Sequence, residues 1–476
     1  MADVFKQKKD VMEHMDAIAP SRDQWLKKNK YYYAELLKFF RYNIPEGCSV
    51  LEIGCGTGDI LNGVSPSRGL GIDISAGMIK AAREKHPNLE FLQMDADCMT
   101  VEEKFDYVII SDTLSYFEDI QKVFSNIRKV ISPDTRIIIT YHNFLWLPFL
   151  KIAEGLGLKM PQKRLNWLNQ ADINNLLHLT DYEIVRDGSR FLFPKKIPLL
   201  SWLLNKYVSQ LPFINKMNLL EFIIAKPIVS HPENNDLFSV SVVIPARNEK
   251  GNIENAVKRL PEMGRHTEII FVEGNSTDDT LSEIKRVCDE YSKTLDVKYL
   301  VHDGKGKGDA VRKGFAAATG DILMILDADL TVPPEELPKF YNAIASGRGE
   351  YINGSRLVYP MEERAMRSLN ILGNKFFSLM FTFLLGQRLK DTLCGTKVLS
   401  KNNYERLIRN RSYFGDFDPF GDFDLIFGAA KLNLKIVEVP IRYRSREYGD
   451  TNISRFRHGW LLLKMVVFAM NRIKFV

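Results

Sequence analysis

Short runs of apolar residues alternate with longer segments of helical period along most of the chain, a pattern typical of βα units on a largely parallel sheet. A polar, proline-containing stretch at 230–236 interrupts this pattern near the middle. Strand-like apolar runs end before it at Ala225 and resume after it at Val240. The sequence therefore predicts an α/β protein of two domains, 1–228 and 239–476, joined by a linker at 229–238.

A glycine-rich loop follows the first clear strand. The predicted strand Ser49–Ile53 runs directly into Gly-Cys-Gly-Thr-Gly at 54–58, and a helix is expected to start at Asp59. Glycines between a strand and a helix let a ligand approach the backbone, and the helix N-terminus favours its negative groups. Asp73 ends the next strand about 20 residues beyond Glu52, a position suited to hydrogen-bonding ribose hydroxyls.

Two further predicted strands of the first half also end in acids. Glu90–Gln93 runs towards Asp-Ala-Asp at 95–97, and Phe105–Ile110 runs into Ser-Asp at 111–112. The carboxyl ends of parallel strands meet at one edge of a sheet, so three consecutive acid-ended strands predict a single crevice. This ordered series argues against ordinary loop acids beside a turn.

The segments VLEIGCGTG, GLGIDIS, FLQMDAD and FDYVIISDTLSYF resemble the class I S-adenosylmethionine-dependent methyltransferases, over about Val50 to Pro227. The resemblance implies a Rossmann-like fold with S-adenosylmethionine as cofactor. A nicotinamide dehydrogenase is the competing use of such a fold, but dinucleotide loops have a different glycine spacing, G-x-G-x-x-G. The implied cofactor-binding residues are Gly54 and Gly56 beside the methionine moiety, Asp73 on the ribose, Asp95 and Ala96 near the adenine, Ile74, and Glu52, which would stabilise the loop.

The sequence does not identify the methyl acceptor. Methyl transfer to a hydroxyl needs a base within hydrogen-bond reach, and His142 and His178 are both candidates. The insert at 143–182 stands where such methyltransferases commonly cap the substrate site, while Tyr116 could line the pocket or simply pack. The alternative for the whole half is a non-catalytic module that binds the cofactor.

The second half contains its own strand-end motif. After the predicted strands Val240–Ile244 and Glu268–Val272, the strand Ile322–Leu326 ends in Asp327 and Asp329 with one residue between them. Two carboxylates in this arrangement suit a hard divalent ion that bridges two phosphates. Acids are common at strand ends, but the preceding apolar run and the proline-rich helix start that follows strengthen the prediction.

The segments VVIPARNE, EIIFVEGNSTDDT, GKGDAVRKG, DADL, GSR, DTLCGTK and VEVPIRYRSREYG resemble the family 2 inverting glycosyltransferases of the GT-A fold, closest to the dolichyl- or polyprenyl-phosphate sugar synthases. The resemblance implies a UDP- or GDP-linked sugar donor, Mg²⁺ or Mn²⁺, and a lipid-phosphate acceptor. By this resemblance, the nucleotide would contact Pro245, Arg247 and Glu249, and its base would contact Glu273. Lys307 would bind the donor, and Asp327 and Asp329 would bind the metal and the diphosphate. The implied catalytic contacts with phosphate come from Arg356 and Arg446.

Three departures from that family leave alternatives open. Glu273 is followed by Gly274 instead of a second acid, so the base preference is open. Thr331 stands where the synthases often carry Gln, which leaves one metal ligand open. The segment 420–424 is unusually acidic: a phosphate acceptor needs no base, whereas a hydroxyl acceptor does, and Asp422 could be that catalytic base. The alternative acceptor is therefore a sugar hydroxyl of a surface glycan.

Positive charge is concentrated in the C-terminal segment. Of 476 residues, 45% are hydrophobic and 26% charged, which is typical of globular proteins. The net charge is +6, and the segment Pro440–Val476 contains eight basic and two acidic residues beside the apolar run Leu461–Leu463. This segment predicts contact with phosphate or an anionic membrane surface. No nucleic-acid partner is expected, because the sequence has no recognised reading module.

The sequence also bears on location. Its 5 cysteines are scattered without a C-x-x-C pair, which fits a reducing compartment. No secretory signal is apparent, and the longest uncharged apolar run, Phe376–Gly386, is well short of the ~20 residues that span a bilayer. The aromatic stretch Leu369–Leu385 predicts either a lipid contact or a buried helix. We expect a cytoplasmic protein that can contact the inner face of the membrane.

Overall fold

The computed structural model describes residues 2–163, 166, 168–229, 237–304, 306–359, 368–415, 421, 423–446, 448–449 and 455–476. The chain divides into two units, Met1–Ile228 with Phe475–Val476, and Val229–Lys474. The boundaries drawn from the sequence stay a prediction, because most of the proposed linker, 230–236, lies outside the described residues.

The first unit is built on a seven-stranded sheet of order β3-β2-β1-β4-β5-β7-β6, in which β7 runs antiparallel to both neighbours and the other pairs are parallel. Its elements, in chain order, are α1 (Ala2–Ile18), α2 (Arg22–Lys28), α3 (Lys30–Asn43), β1 (Ser49–Ile53), α4 (Asp59–Gly63), β2 (Arg68–Asp73), α5 (Ala76–Lys85), β3 (Glu90–Gln93), β4 (Phe105–Ser111), α6 (Ile120–Ile127), β5 (Ile131–His142), α7 (Leu147–Gly155), α8 (Gln170–Leu179), β6 (Tyr182–Arg190), α9 (Leu200–Lys206) and β7 (Leu220–Pro227).

The central strands of this sheet are buried on both faces. Alternate residues of β1 point into two different apolar clusters, with Leu51 in one and Val50 in the other. A strand covered by helices on both faces has a continuous apolar sequence, because neither of its faces meets solvent. The apolar runs therefore predict these strands even though apolar and polar residues do not alternate along them. Because β1, β2, β3 and β4 are parallel, the loops that follow them meet at one edge.

The second unit has a seven-stranded sheet of order β10-β9-β8-β11-β13-β12-β14, with β13 antiparallel to β11 and β12. Its elements are β8 (Ser239–Ala246), α10 (Ile253–Lys258), β9 (His266–Glu273), α11 (Thr280–Tyr291), β10 (Asp296–Val301), α12 (Lys307–Ala317), β11 (Ile322–Ile325), α13 (Leu337–Ala345), β12 (Tyr351–Ser355), α14 (Ser368–Leu385), β13 (Lys397–Ser400), α15 (Lys401–Arg409), α16 (Phe423–Lys431), β14 (Ile436–Pro440) and α17 (Arg455–Ala469), which a π-helical turn, Met470–Lys474, extends.

The aromatic helix α14 and the C-terminal helix α17 pack into one core. Phe381 of α14 and Leu462 and Met465 of α17 belong to the same buried cluster. These apolar side chains of α17 therefore pack inside the unit, while Trp460 remains 62% exposed. Across the described part of the chain, no helix combines the length and apolarity needed to cross a membrane. The predicted α/β class is confirmed in both units.

Candidate active sites

The carboxylate of Asp73 holds the glycine-rich loop at the end of β1. The backbone N–H of Gly56 donates to Asp73 Oδ2 at 2.9 Å, and that of Ser75 donates to Oδ1 at 2.9 Å. Gly54 has φ +73°, and a Cβ there would clash with the side chain of Thr113, so this position requires glycine. Burial raises the pKa of Asp73, although the two N–H donors oppose the shift.

Glu52 supports the same loop region from within β1. It lies inside β1, only 2% exposed, and its Oε2 accepts a hydrogen bond from the backbone N–H of Leu61 at 3.0 Å. Burial raises the pKa of Glu52 to about 8, and Asp59 and Asp73 nearby add to the shift. The structure thus places Glu52 where it ties the strand to the first turns after the loop.

The N-terminal helix α1 supplies two charged side chains that the sequence analysis missed. Lys8 Nζ lies 2.8 Å from Asp97 Oδ2 and also forms an ion pair with Asp95. Asp16 Oδ1 accepts the backbone N–H of Gly77 at 2.8 Å, at the start of α5. These contacts join residues far apart in the chain, so local sequence patterns carry no signal for them.

A cavity of about 300 Å³ opens at this edge of the first sheet. Its walls include residues from the loop after β1 and from the ends of β2 and β3, which the parallel register brings together. All the residues implied to bind the cofactor line it: Glu52, Gly54, Gly56, Asp73, Ile74, Asp95 and Ala96. Their individual roles stay a prediction.

The same cavity is lined by His142, at the end of β5, and by Asp112, after β4. His142 Nδ1 lies 3.3 Å from Asp112 Oδ1, and the Tyr32 hydroxyl donates to Asp112 Oδ2 at 3.1 Å. Asp112 has φ +53°, a backbone conformation that non-glycine residues rarely adopt. Tyr116 also lines the cavity, whereas His178 is exposed on α8. Of the two candidate bases, the structure therefore places His142 at the site.

In the second unit, the two acids after β11 each face a cationic side chain. Lys307 Nζ, at the start of α12, lies 2.7 Å from Asp327 Oδ1, and Arg446 Nη2 lies 2.7 Å from Asp329 Oδ2. Thr331 donates through its hydroxyl to Asp329 Oδ1 at 2.8 Å. Although burial opposes it, the charge of Lys307 lowers the pKa of Asp327.

Arg446 connects two acids from distant parts of the chain. Its Nη1 donates to Glu249 Oε1 at 3.1 Å, while its Nη2 binds Asp329. Asn252 donates to the other oxygen of Glu249 at 2.8 Å. Burial raises the pKa of Glu249, with Arg446 opposing the shift. The structure thus brings three predicted site residues, Glu249, Asp329 and Arg446, into one cluster.

Arg356 occupies a different environment. Its guanidinium makes a bidentate ion pair with Asp391, at 2.7 Å from Nε to Oδ2 and 2.8 Å from Nη2 to Oδ1, and the Asp391 side chain is fully buried. The guanidinium also lies over the ring of Tyr443, 5.2 Å from its centroid. The structure places Arg356 in a buried pair, and its contact with phosphate stays a prediction.

The remaining predicted residues lie along β8 and β9. Pro245 pairs in register with Val272, and Arg247 is exposed just beyond the strand. Glu273 is 3% exposed, and its Oε1 accepts the backbone N–H of Ser276 at 2.6 Å. The predicted base Asp422 lies outside the described residues, so its role stays a prediction.

Two glycines lie in close contact at the start of α12. Gly308, in the first turn of α12, lies against Gly421, and a Cβ on either residue would clash with the backbone of the other. Gly421 has φ +79°, which favours glycine independently. The residue directly before Asp422 is therefore held beside the turn that carries Lys307.

Asp327 and Asp329 fit a divalent ion that arrives with a diphosphate. Their carboxylates are hard oxygen ligands with side chains 28% and 18% exposed. Within the described ranges, no group of three or more His, Cys, Asp or Glu side chains could hold a metal alone. Mg²⁺ is commonly bound by one or two carboxylates together with substrate phosphates and water, so two carboxylates suffice.

Comparison with known proteins assigns a family to each half of the chain. The family model for glycosyl transferase family 2 matches residues 241–407, and the model for a methyltransferase domain matches residues 44–178. The chain therefore carries a methyltransferase domain followed by a family 2 glycosyltransferase domain, and both belong to enzyme families. The predicted fold, a Rossmann-like methyltransferase followed by a GT-A transferase, is confirmed.

Individual relatives cover part of the chain. The low-salt glycan biosynthesis hexosyltransferase Agl6 of Haloferax volcanii is 30% identical over 230 residues, 47% of this chain and 51% of the relative. The dolichol-phosphate mannosyltransferase of Pyrococcus furiosus is 38% identical over 241 residues, 47% of this chain and 64% of the relative. The chain thus spans about half to two thirds of these two relatives. A crystal structure of an S-adenosylmethionine-dependent methyltransferase from Thermotoga maritima has 14% identity and a TM-score of 0.36, covering 45% of this chain and 99% of that one.

Proposed function

We propose that the chain is a bifunctional enzyme. Domain 1–228 transfers a methyl group from S-adenosylmethionine, and domain 239–476 transfers a sugar from a UDP- or GDP-linked donor to a polyprenyl-phosphate-type lipid. The observation that carries this proposal is that each unit gathers its own motif residues at the carboxyl edge of its own sheet. Relatives named for dolichol-phosphate mannosyl transfer and glycan hexosyl transfer support the second activity.

In the first unit, the chain positions the cofactor and prepares the acceptor. S-adenosylmethionine, when bound, supplies an electrophilic methyl group. Asp73 keeps lone pairs for the ribose hydroxyls beyond those that accept the loop N–H groups. His142 takes the proton of an acceptor hydroxyl, and Asp112, 3.3 Å away, orients the imidazole and stabilises its positive charge. A cofactor-binding module without catalysis is the alternative, and the polar pair beside the cofactor residues favours catalysis.

In the second unit, the chain neutralises the leaving diphosphate. Asp327 and Asp329 would hold Mg²⁺ or Mn²⁺, which supplies positive charge beside the phosphates. Lys307 and Arg446 face those acids, and their positive charges would offset the charge of the leaving diphosphate. The sugar is then transferred by a single in-line displacement at its anomeric carbon.

The acceptor is a lipid phosphate, which is already anionic and needs no base. Exposed apolar side chains on α14 and α17, with Leu379 at 72% and Trp460 at 62%, support contact with a membrane near the basic C-terminal segment. We therefore place the protein at the cytoplasmic face of a membrane. The alternative is a sugar hydroxyl of a surface glycan with Asp422 as base.

Incubation of the pure protein with a panel of nucleotide sugars and Mn²⁺, with and without polyprenyl phosphate, tests the proposal by mass spectrometry of the products. We expect a glycosylated lipid phosphate that disappears when a chelator removes the ion. Transfer to a soluble glycan without lipid would favour the hydroxyl acceptor, and full activity in chelator would exclude the metal role.

A further inference from the structure

The first unit exposes large apolar side chains in two segments, 144–158 and 197–217, which we call the apolar face. The most exposed members are Leu199 and Phe213, both at 83% exposed, Leu156 at 68%, Phe149 at 63%, and Leu145 and Ile152, both at 60%. Monomeric globular proteins rarely expose apolar side chains in such clusters, and extended apolar surfaces mark contact with a partner or a membrane.

The two segments of the apolar face lie side by side. The indole N–H of Trp146 donates to the backbone oxygen of Met217 at 2.7 Å, and the side-chain amide of Asn143 donates to the backbone oxygen of Lys216 at 2.8 Å. The first bond joins the two segments, and the second joins the residue directly before the first segment to the second segment. The two segments of the apolar face therefore meet at this end.

The two most exposed residues also have unfavourable backbones. Leu199 has φ +60° and Phe213 has φ +69°, a region that is unfavourable for residues other than glycine. Residues this exposed gain little from packing inside the unit that would offset such a cost. Both side chains are nonetheless exposed in this conformation, as a surface that inserts them into another apolar phase would require.

The charge around the apolar face is strongly positive. The stretch 194–217 contains Lys195, Lys196, Lys206 and Lys216 and no acidic residue, and the stretch 144–163 contains three lysines and one glutamate. Apolar side chains ringed by lysines are typical of surfaces that lie in the headgroup region of an anionic bilayer. The attraction between a lysine and such a surface falls off within a Debye length, so added salt weakens it.

We propose that the apolar face docks the methyltransferase domain on an anionic lipid bilayer. Outward apolar tips with surrounding lysines complement the negative charge and the apolar interior of a membrane. Leu150 and Leu158 of the first segment, and Lys195 beside the second, also line the cofactor cavity. If methyl transfer occurs as proposed above, its acceptor therefore reaches the cavity from the membrane surface. Docking itself does not depend on that activity.

Co-sedimentation of the full chain with vesicles tests the docking without any activity readout. The vesicles contain either phosphatidylcholine alone or equal parts of phosphatidylcholine and phosphatidylglycerol. We expect binding to the mixed vesicles that weakens with added salt, and little binding to the neutral ones. The double variant Leu199→Ser with Phe213→Ser should bind the mixed vesicles at least about tenfold more weakly.

The matched control is Leu179→Ser, which removes another exposed leucine of the same unit, on α8 and outside both segments. It should bind like the unaltered chain, and a melting curve checks that every variant is folded. If the double variant does not fold, Lys206→Glu with Lys216→Glu serves instead and should weaken binding to the mixed vesicles by a similar factor.

Three results would overturn the proposal. The first is the absence of sedimentation with mixed vesicles at low salt. The second is unchanged binding of the double variant while Trp460→Ser abolishes binding, which would assign the membrane contact to α17. The third is self-association of the chain, seen by light scattering, that the double variant removes, since the apolar face would then bind a second copy.

Discussion

The two candidate sites are held in place by different kinds of bond. In the first unit, Asp73 and Glu52 accept hydrogen bonds from backbone N–H groups of the loop region they support. In the second unit, Asp327 and Asp329 face the side-chain cations of Lys307 and Arg446. Backbone anchors can persist when a ligand enters, whereas side-chain ion pairs must exchange partners. The first site is thus preformed. In the second, cations balance the two acids, and under the proposed function a metal and a diphosphate would replace these internal pairs.

The largest expected effect concerns the charge-balanced site. Asp329→Asn should lower the rate of sugar transfer at least about a thousandfold, because it removes a proposed metal ligand and a partner of Arg446. Binding of S-adenosylmethionine, measured by calorimetry, should stay unchanged. Asp296→Asn is the control, since Asp296 forms an exposed pair with His266. Loss of binding of both ligands in Asp329→Asn would contradict the independence of the two sites.

The preformed site should depend on its base almost as strongly. His142→Asn should slow methyl transfer by about 10²- to 10⁴-fold and leave cofactor affinity unchanged, because a general base acts only on the chemical step. His178→Asn is the matched control. An unchanged rate of methyl transfer in His142→Asn would show that another group takes the proton.

Cofactor affinity should respond more moderately to Asp73. Asp73→Ala should remove the proposed ribose contact, worth about 1–3 kcal/mol, which corresponds to roughly 5- to 150-fold in affinity. It also releases the N–H groups of Gly56 and Ser75. Calorimetric titration of S-adenosylmethionine measures the change, with the exposed Glu84→Ala as control. Equal affinities in the two variants would refute the assignment of Asp73.

The smallest effect concerns the pH dependence of stability. The pKa of Glu52 is raised from 4.5 to about 8, so between these values the folded chain keeps a proton that the unfolded chain loses. The contribution of Glu52 to the free energy of unfolding is complete below pH 4.5 and is lost as pH rises towards 8. Glu52→Gln should remove this pH dependence. Between pH 5 and 8, the melting temperature of the variant should therefore fall by roughly a few degrees less than that of the unaltered chain. If the melting temperatures of the two proteins changed equally with pH, this would contradict a protonated Glu52 in the folded chain.

The sequence predicted the strands closely because strands buried on both faces have continuous apolar sequences. The predicted strands Ser49–Ile53 and Glu90–Gln93 are found with the same bounds, and β11 ends one residue before the predicted Leu326. The positions of the motifs relative to the strand ends follow directly. This is why the residues implied to bind the cofactor all line one cavity.

The ion pairs could not be predicted in the same way. Lys8 and Asp97 are separated by 89 positions, and Arg446 and Glu249 by 197, so only the folded topology brings them together. The pairing of Arg356 with Asp391 likewise has no local signal. The C-terminal helix shows a related limit: an amphipathic pattern fits both a membrane and a protein core, and the presence of α14 decides where Leu462 and Met465 pack.

The contact between Gly308 and Gly421 constrains how this chain can change over evolutionary time. Because each backbone occupies the space that the other's Cβ would need, neither position can accept alanine unless the two segments separate. Gly421 carries a second constraint from its left-handed backbone. A library that randomises both positions should therefore return glycine at both. Shuffling with a distant homologue should succeed only when the two segments are inherited from the same parent.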